Sequence, residues 1–190
     1  MTLPSRIEGY AVVSVDGMLA DAHGVMPDAL ICAPDQRFFA DGLDGVDVVV
    51  HGRHSHEQQP HSSSRRRLIL TRHIADVAPH PSNGNARYWN PAGAALEDAM
   101  ADVGAPGGSV GVIGGTDVFE IFLDRYDIFY LSRLPEIRLP GGRPIFPEVP
   151  ARAPEDVLAR HGLDLGYQEL FDPATGLVIV GWRRAPLPDR

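Results

Sequence analysis

The sequence lacks several features that would place it in other protein classes. Among 190 residues it has a single cysteine, Cys32, so no disulfide can form within the chain, which fits a reducing compartment. No apolar run approaches the roughly 20 residues that span a bilayer, and the N-terminus lacks the basic start and apolar segment of a signal peptide. We therefore expect a cytoplasmic protein without a membrane partner.

Positive charge is also scarce, because 17 basic residues stand against 25 acidic ones and the formal net charge is −8. An acidic surface repels nucleic-acid phosphates, so we expect no DNA or RNA partner. An anionic ligand would then need a local basic pocket. The histidines at positions 51, 54, 56 and 61 match no standard zinc spacing, so we expect no metal.

The residues that are present predict one α/β domain over 1–190, with its core at about 6–182. Strands alternate with helices, which favours a mainly parallel central sheet flanked by helices, with an antiparallel hairpin at the C-terminal end. We predict strands at 6–15, 46–51, 67–71, 86–89, 109–113, 126–134, 165–171 and 177–182. We predict helices at 34–43, 92–103 and 116–123 and a short helix after Ser55. The segments 18–33 and 72–85 are predicted to be connections.

The strongest local signal is Gly114-Gly115, which follows a buried strand and precedes Thr116 at a predicted helix start. Two glycines let a ligand approach the backbone, and the free N–H groups beyond them suit an anion such as a pyrophosphate. A tight turn without a ligand is the alternative that this motif alone leaves open.

Two other strand ends carry groups suited to phosphate. Gly52-Arg53-His54-Ser55 follows one buried strand, and Thr71-Arg72 ends the next. The arginines offer planar forks of donors, and the hydroxyls donate or cap. Ligands bind beyond the carboxyl ends of parallel strands, so these segments together with the glycine turn predict an anion site.

Two carboxylates are candidates for substrate contact. Asp35 lies in the first turn of a predicted helix, where it either stabilises the helix dipole or faces a pocket. Asp16 precedes Gly17 at a strand end and is either part of a plain turn or a polar group at the mouth of the sheet.

These motifs, in this order, resemble the dihydrofolate reductase-like superfamily, which includes dihydrofolate reductases and the pyrimidine reductases of riboflavin biosynthesis. Gly52-Arg53-His54-Ser55-His56-Glu57 is similar to its phosphate-binding segment, and Ile113-Gly114-Gly115 to its pyrophosphate turn. Ser14-Val15-Asp16-Gly17 is similar to the opening of the pyrimidine reductases. Tyr130-Leu131-Ser132-Arg133 resembles the strand beside the substrate pocket.

The resemblance implies NADPH as cofactor, a small heterocyclic substrate and a homodimer. It implies catalytic roles for Asp35, Asp16 and Ser132. It implies cofactor binding by Gly52, Arg53, His54, Ser55, Thr71, Arg72, Ile113, Gly114, Gly115, Thr116, Asp117 and Val118.

The substrate stays open at this point. Ile113 stands, as in dihydrofolate reductases, where pyrimidine reductases often carry glutamate, whereas the segment 19–33 lacks the tryptophan typical of folate enzymes. We expect an NADPH-dependent reductase of a pyrimidine- or pterin-like heterocycle, resembling 5-amino-6-(5-phosphoribosylamino)uracil reductase. The alternatives are a dihydrofolate reductase and a non-catalytic dinucleotide-binding module.

Overall fold

A computed structural model describes residues 2–55, 59 and 61–185. Its helices are α1 (Ala33–Asp44), α2 (Leu96–Asp102), α3 (Thr116–Ile121) and α4 (Pro154–Arg160). Its strands are β1 (Arg6–Ser14), β2 (Met18–Ala20), β3 (Val48–Gly52), β4 (Arg67–Leu70), β5 (Val77–Pro79), β6 (Ala86–Trp89), β7 (Ser109–Val112), β8 (Ile128–Leu134), β9 (Arg143–Pro144), β10 (Leu163–Asp172) and β11 (Leu177–Arg184). Short 3-10 turns lie at Asp28–Leu30 and Ser62–Ser64.

Nine strands form the central sheet, in the order β10-β11-β8-β1-β7-β3-β4-β6-β5. The six strands from β8 to β6 are parallel. The hairpin of β10 and β11 adds an antiparallel edge on one side, and β5 adds one on the other. The predicted mainly parallel sheet with a C-terminal antiparallel hairpin is confirmed.

Helices cover both faces of the sheet because side chains of the central strands alternate between two apolar layers. Along β1, Ile7 and Val13 enter the large core that packs against α2, α3 and α4, whereas Tyr10 enters the smaller core that packs against α1. A strand buried on both faces reads as an apolar run, as residues 10–13 of β1 do.

The helix predicted at 92–103 begins later than expected, at Leu96. Asn90 and Pro91 resemble a helix start, but the Asn90 side-chain oxygen accepts a hydrogen bond from the Ala92 backbone at 3.1 Å, within a separate turn. Ala95 precedes the helix in extended conformation instead. The asparagine therefore closes a local turn, which competes with helix capping.

Both segments predicted as plain connections contain a strand. Residues 18–33 hold β2, which pairs with β9 in a separate two-stranded sheet, and residues 72–85 hold β5. Helix α4 and strand β9 lie where no element was predicted. The short helix predicted after Ser55 falls on residues 56–58 and 60, outside the described residues.

The surface of the sheet is exposed at one edge. Strand β10 presents Leu165, Tyr167 and Phe171, whose side chains are largely accessible. The homodimer implied by the family resemblance stays a prediction.

No helix in the described ranges is long and apolar enough to cross a bilayer.

Candidate functional site

The carboxyl ends of the central strands meet along one edge of the sheet. The Gly52 backbone N–H at the end of β3 donates to the Gly114 carbonyl at 2.7 Å, and Ile113 donates to Val50 at 3.0 Å. The peptide bond between Gly114 and Gly115 is cis. The predicted phosphate-binding strand ends are therefore neighbours, and two cavities open beside them.

The first, here called the inner cavity, has a volume of about 420 Å³. Its walls are mainly apolar and aromatic, and Asp35 and Ser132 supply polar groups. The lining residues include Tyr10, Val12, Leu19, Met26, Ile31, Asp35, Phe38, Phe39, Ile113, Tyr130 and Ser132. Helix α1 carries Asp35 in its first turn, and β8 carries Ser132.

Asp35 is buried, with 5% of its surface exposed, so its carboxyl has lost most of its hydration. This burial raises the pKa of Asp35 above its ordinary value. The Ser132 hydroxyl hydrogen-bonds the carboxylate and acts in the opposite direction, but burial prevails. A buried carboxyl with a raised pKa at the wall of a cavity is typical of a functional group.

Aromatic rings form one wall of the inner cavity. Tyr10 and Tyr130 stack with centroids 5.0 Å apart, and Phe38 packs edge-on against Tyr130 at 5.2 Å. Tyr10 donates a hydrogen bond to the buried Glu8 carboxylate. Burial and this bond raise the pKa of Tyr10, so its hydroxyl stays protonated and acts as part of the wall.

The second, here called the outer cavity, has a volume of about 650 Å³ and lies beyond the ends of β3 and β4. It brings together ten of the predicted cofactor-binding residues: Gly52, Arg53, His54, Ser55, Thr71, Arg72, Gly115, Thr116, Asp117 and Val118. Of the other two, Ile113 lines the inner cavity, and Gly114 packs its backbone against the Phe119 ring.

Cations dominate the outer cavity, with Arg53, Arg72 and Arg143 in its lining. Asp117 is the acidic group there, and its carboxylate lies 3.7 Å from the Arg72 guanidinium. The absence of a side chain at Gly115 leaves space at the floor of the outer cavity. A Cβ there would fill that space and lie 3.2 Å from the Ser55 hydroxyl. The site thus combines basic forks, hydroxyl donors and accessible backbone, which suit phosphate groups.

No protein-family model and no curated protein matches the chain. Solved structures do resemble it over nearly its whole length. A provisionally assigned riboflavin biosynthesis protein from Shewanella sp. PV-4 has a TM-score of 0.67 and 21% identity, covering 95% of this chain and 99% of its own. A dihydrofolate reductase from Enterococcus faecalis, complexed with NADP(H) and RAB-propyl, has a TM-score of 0.62 and 16% identity, covering 98% and 100%.

A third structure is the diaminohydroxyphosphoribosylaminopyrimidine deaminase/5-amino-6-(5-phosphoribosylamino)uracil reductase of Thermotoga maritima. Its TM-score is 0.65 at 16% identity, and the match covers 96% of this chain and 57% of that one. This chain has the dihydrofolate reductase-like fold.

In this dihydrofolate reductase-like fold, Asp16 lies apart from both cavity linings. Its carboxylate accepts hydrogen bonds from the Ser14 hydroxyl at 2.6 Å and from the Leu139 backbone at 3.1 and 3.2 Å. Burial acts to raise the pKa of Asp16, but these hydrogen bonds outweigh it and leave that pKa lowered. The structure gives Asp16 a place in the turn after β1, and its predicted role in orienting a substrate stays a prediction.

One residue of the site carried no signal in the sequence. Arg143 lines both cavities, yet it belongs to a glycine- and proline-rich segment without a recognisable motif. Its position depends on the pairing of β9 with β2, which are far apart in sequence. A basic residue beside a Gly-Gly pair is a weak indication of a binding site. Only the pairing of β9 with β2 shows that Arg143 lies at the cavities.

Proposed function

We propose that this protein is an NADPH-dependent reductase of a flat pyrimidine- or pterin-like heterocycle. One observation carries the proposal: a buried carboxyl, Asp35, lines an apolar cavity that adjoins a second cavity rich in arginine. His54, Ser55, Gly115 and Arg143 belong to both linings, so the two spaces share a wall. Two ligands bound there would meet, as hydride transfer between a dinucleotide and a ring requires.

The outer cavity fits a phosphorylated dinucleotide in its chemistry. Arg53 and Ser55 follow β3, and Thr71 and Arg72 follow β4, so hydroxyls and guanidinium groups converge from two strands. Gly115 offers backbone without a side chain, and a Cβ there would fill part of the space. We assign the diphosphate to the Gly115 turn and Arg53, and the adenosine phosphate to Thr71 and Arg72. Bound NADPH would supply the hydride.

The inner cavity fits the reducible ring. Tyr10, Phe38 and Tyr130 supply an aromatic wall against which a heterocycle can pack. Asp35 and Ser132 supply paired polar groups for ring N–H and C=O positions. Because burial raises the pKa of Asp35, the carboxyl holds a proton more readily than an exposed aspartate does. It can therefore bind a ring in either protonation state and exchange a proton with it.

Two classes of substrate fit the inner cavity, a pyrimidine and a pterin. The similarity to a riboflavin biosynthesis protein and to a uracil reductase favours a ribityl- or ribosylamino-pyrimidine. The similarity to a dihydrofolate reductase, and Ile113 at the head of the glycine turn, favour a pterin. Dihydrofolate-dependent oxidation of NADPH that an antifolate inhibits would assign the second class.

The test is a thermal-shift and titration series with NADPH, NADP and NADH on the wild type and Arg53→Ala. NADPH at about 100 times its Kd should raise Tm by roughly 5–10 °C in a chain of this size. Arg53→Ala should weaken NADPH binding about 10- to 100-fold, because a charge-assisted hydrogen bond to phosphate is lost. Arg66→Ala is the matched control, since Arg66 is exposed and lies outside both linings.

Two results would contradict the proposal. If none of the three nucleotides shifts the Tm of the wild type, the outer cavity does not bind a dinucleotide. If NADPH binds but no pterin or ribityl-pyrimidine is reduced, the protein is a dinucleotide-binding module rather than a reductase.

A further inference from the structure

Arg143 differs from the other arginines of the site in its place and its surroundings. Among the described residues, four line both cavities, and Arg143 is the one of them with a guanidinium; the others are His54, Ser55 and Gly115. A side chain shared by two linings lies where a ligand in one cavity approaches a ligand in the other. None of the sequence motifs includes it.

The backbone around Arg143 is fixed by three contacts. Ala20 of β2 pairs with Arg143, and Ile145 donates to the Gly17 carbonyl at 3.0 Å. The Thr116 hydroxyl, at the start of α3, donates to the Pro144 carbonyl. Strand β9 is therefore attached both to the segment after β1 and to the glycine turn, so the Arg143 Cα is held between the two cavities.

The guanidinium of Arg143 extends toward the turn at Gly24. A Cβ built on Gly24 would lie 3.0 Å from one terminal nitrogen and 3.3 Å from the guanidinium carbon. Within residues 2–55, 59 and 61–185, no carboxylate pairs with Arg143 and no side-chain hydrogen bond engages it. By contrast, Arg87 pairs with Asp102 at 2.5 Å and Arg133 with Glu155 at 2.5 Å.

The Arg143 side chain is exposed, and its planar guanidinium faces a ligand space without a carboxylate partner among the described residues, so it can donate to two oxygens of an anionic group such as a phosphate. We propose that Arg143 binds a phosphate at the junction of the two cavities and so positions the reacting ligands. This inference rests on the proposed function. The phosphate has two sources: the diphosphate of the dinucleotide, or a phosphate carried by the ribosyl group of the heterocyclic substrate.

The test compares the wild type with Arg143→Gln, Arg143→Lys and a control, Arg152→Gln, by isothermal titration calorimetry. Arg152 pairs with Glu148 at 2.8 Å, and Arg160 also pairs with Glu148, so the control leaves that carboxylate partnered. The probes are NADPH, reduced nicotinamide mononucleotide, adenosine 2′-phosphate, and ribose 5-phosphate added both to the protein alone and to the NADPH complex. Melting curves establish that each variant is folded.

Arg143→Gln should weaken at least one of NADPH, the mononucleotide and ribose 5-phosphate by about 10-fold or more, and Arg143→Lys by less, because lysine keeps the charge but loses the fork. A loss confined to NADPH and the mononucleotide identifies the dinucleotide as the source. A loss confined to ribose 5-phosphate identifies the substrate.

Unchanged affinity for every probe overturns the role of Arg143. An equal loss for adenosine 2′-phosphate also overturns it, because that probe carries no phosphate of the diphosphate and would report a general disturbance. A wild type that binds ribose 5-phosphate but not NADPH contradicts the proposed function without contradicting this role. A wild type that binds no probe contradicts both.

Discussion

Asp35 is a residue whose burial lowers the stability of the fold, as we expect of a group retained for binding. A carboxyl buried in an apolar cavity is costly when ionised, and its hydrogen bond from Ser132 offsets only part of that cost. Functional sites commonly retain such groups, because the interactions they offer to a ligand outweigh their penalty to the empty fold.

Asp35→Asn should reduce turnover at least 100-fold while NADPH affinity changes less than twofold. The amide occupies the same volume and still accepts from Ser132, but it cannot exchange a proton with the ring, and acid–base groups contribute about 10²- to 10⁴-fold. The measurement is steady-state reduction of the heterocycle that the wild type accepts, alongside NADPH titration. Turnover near the wild-type rate would remove Asp35 from the mechanism.

The same substitution should stabilise the protein at neutral pH. The pKa of Asp35 is raised in the folded state, so its contribution to stability is fully present below the ordinary value of 3.8 and is lost as pH rises through the folded pKa. Asp35→Asn should therefore melt above the wild type at pH 7, and the gap should narrow as the pH falls from 7 through the folded pKa of Asp35 toward 3.8. Each 1 kcal/mol corresponds to about 2–4 °C in Tm. A constant gap across that range would contradict this account.

Asp117 is the residue that least suits a phosphate site, since its carboxylate lies 3.7 Å from Arg72 in the outer cavity. Asp117→Asn should tighten NADPH binding up to about fivefold at low salt, because an exposed ion pair is worth about 0–1 kcal/mol. Added salt should diminish the gain, and NADH should respond less. Glu120→Gln, exposed on the same helix and outside the cavity, is the control. An equal gain for NADH would show that Asp117 does not face the adenosine phosphate.

Among the elements, the turn between β7 and α3 contains two adjacent glycines. We expect Gly114 to be required by the fold and Gly115 by ligand binding. Gly114 has φ +100°, and a Cβ there would lie 2.7 Å from the Phe119 ring. Gly115 has φ −81°, and its nearest obstacle is the Ser55 hydroxyl at 3.2 Å. A side chain is therefore excluded at Gly114 by the fold, whereas at Gly115 it meets only the Ser55 hydroxyl, on a rotatable side chain, and the proposed ligand space.

Gly114→Ala should lower Tm by roughly 2–10 °C, because the left-handed conformation and the ring contact cost about 1–3 kcal/mol. Gly115→Ala should keep Tm within about 2 °C but weaken NADPH binding by about 10-fold or more, since its methyl group occupies space shared by both cavities. The pair serves as its own control in calorimetry and titration. Unaltered NADPH affinity in Gly115→Ala would place the cofactor elsewhere.

Elements that follow from local sequence were predictable, and those that follow from distant pairing were not. The buried run of β3 and the glycine turn after β7 carry their signals within a few residues. Strands β2 and β9 have three and two residues, too few for a periodic pattern, and their pairing joins Met18 to Pro144. The seven residues of α4 give a similarly short pattern.

At the scale of the whole molecule, the sheet order explains why the site was largely predictable. Parallel strands place their carboxyl ends on one edge, so Arg53 and Thr71 had to become neighbours once β3 and β4 were recognised. The same rule could not locate Arg143, which reaches this edge through the separate two-stranded sheet. It also could not show that Asp16 hydrogen-bonds Leu139 rather than lining a cavity.

The wall shared by the two cavities has a thermodynamic consequence for the molecule. His54, Ser55, Gly115 and Arg143 face both spaces, so a first ligand becomes part of the surface that a second one contacts. Whatever factor the nucleotide imposes on affinity for the heterocycle, the heterocycle must impose the same factor on affinity for the nucleotide. Under the proposed function, a factor other than one gives each ligand two dissociation constants, one for the empty protein and one for the protein that already holds the other ligand.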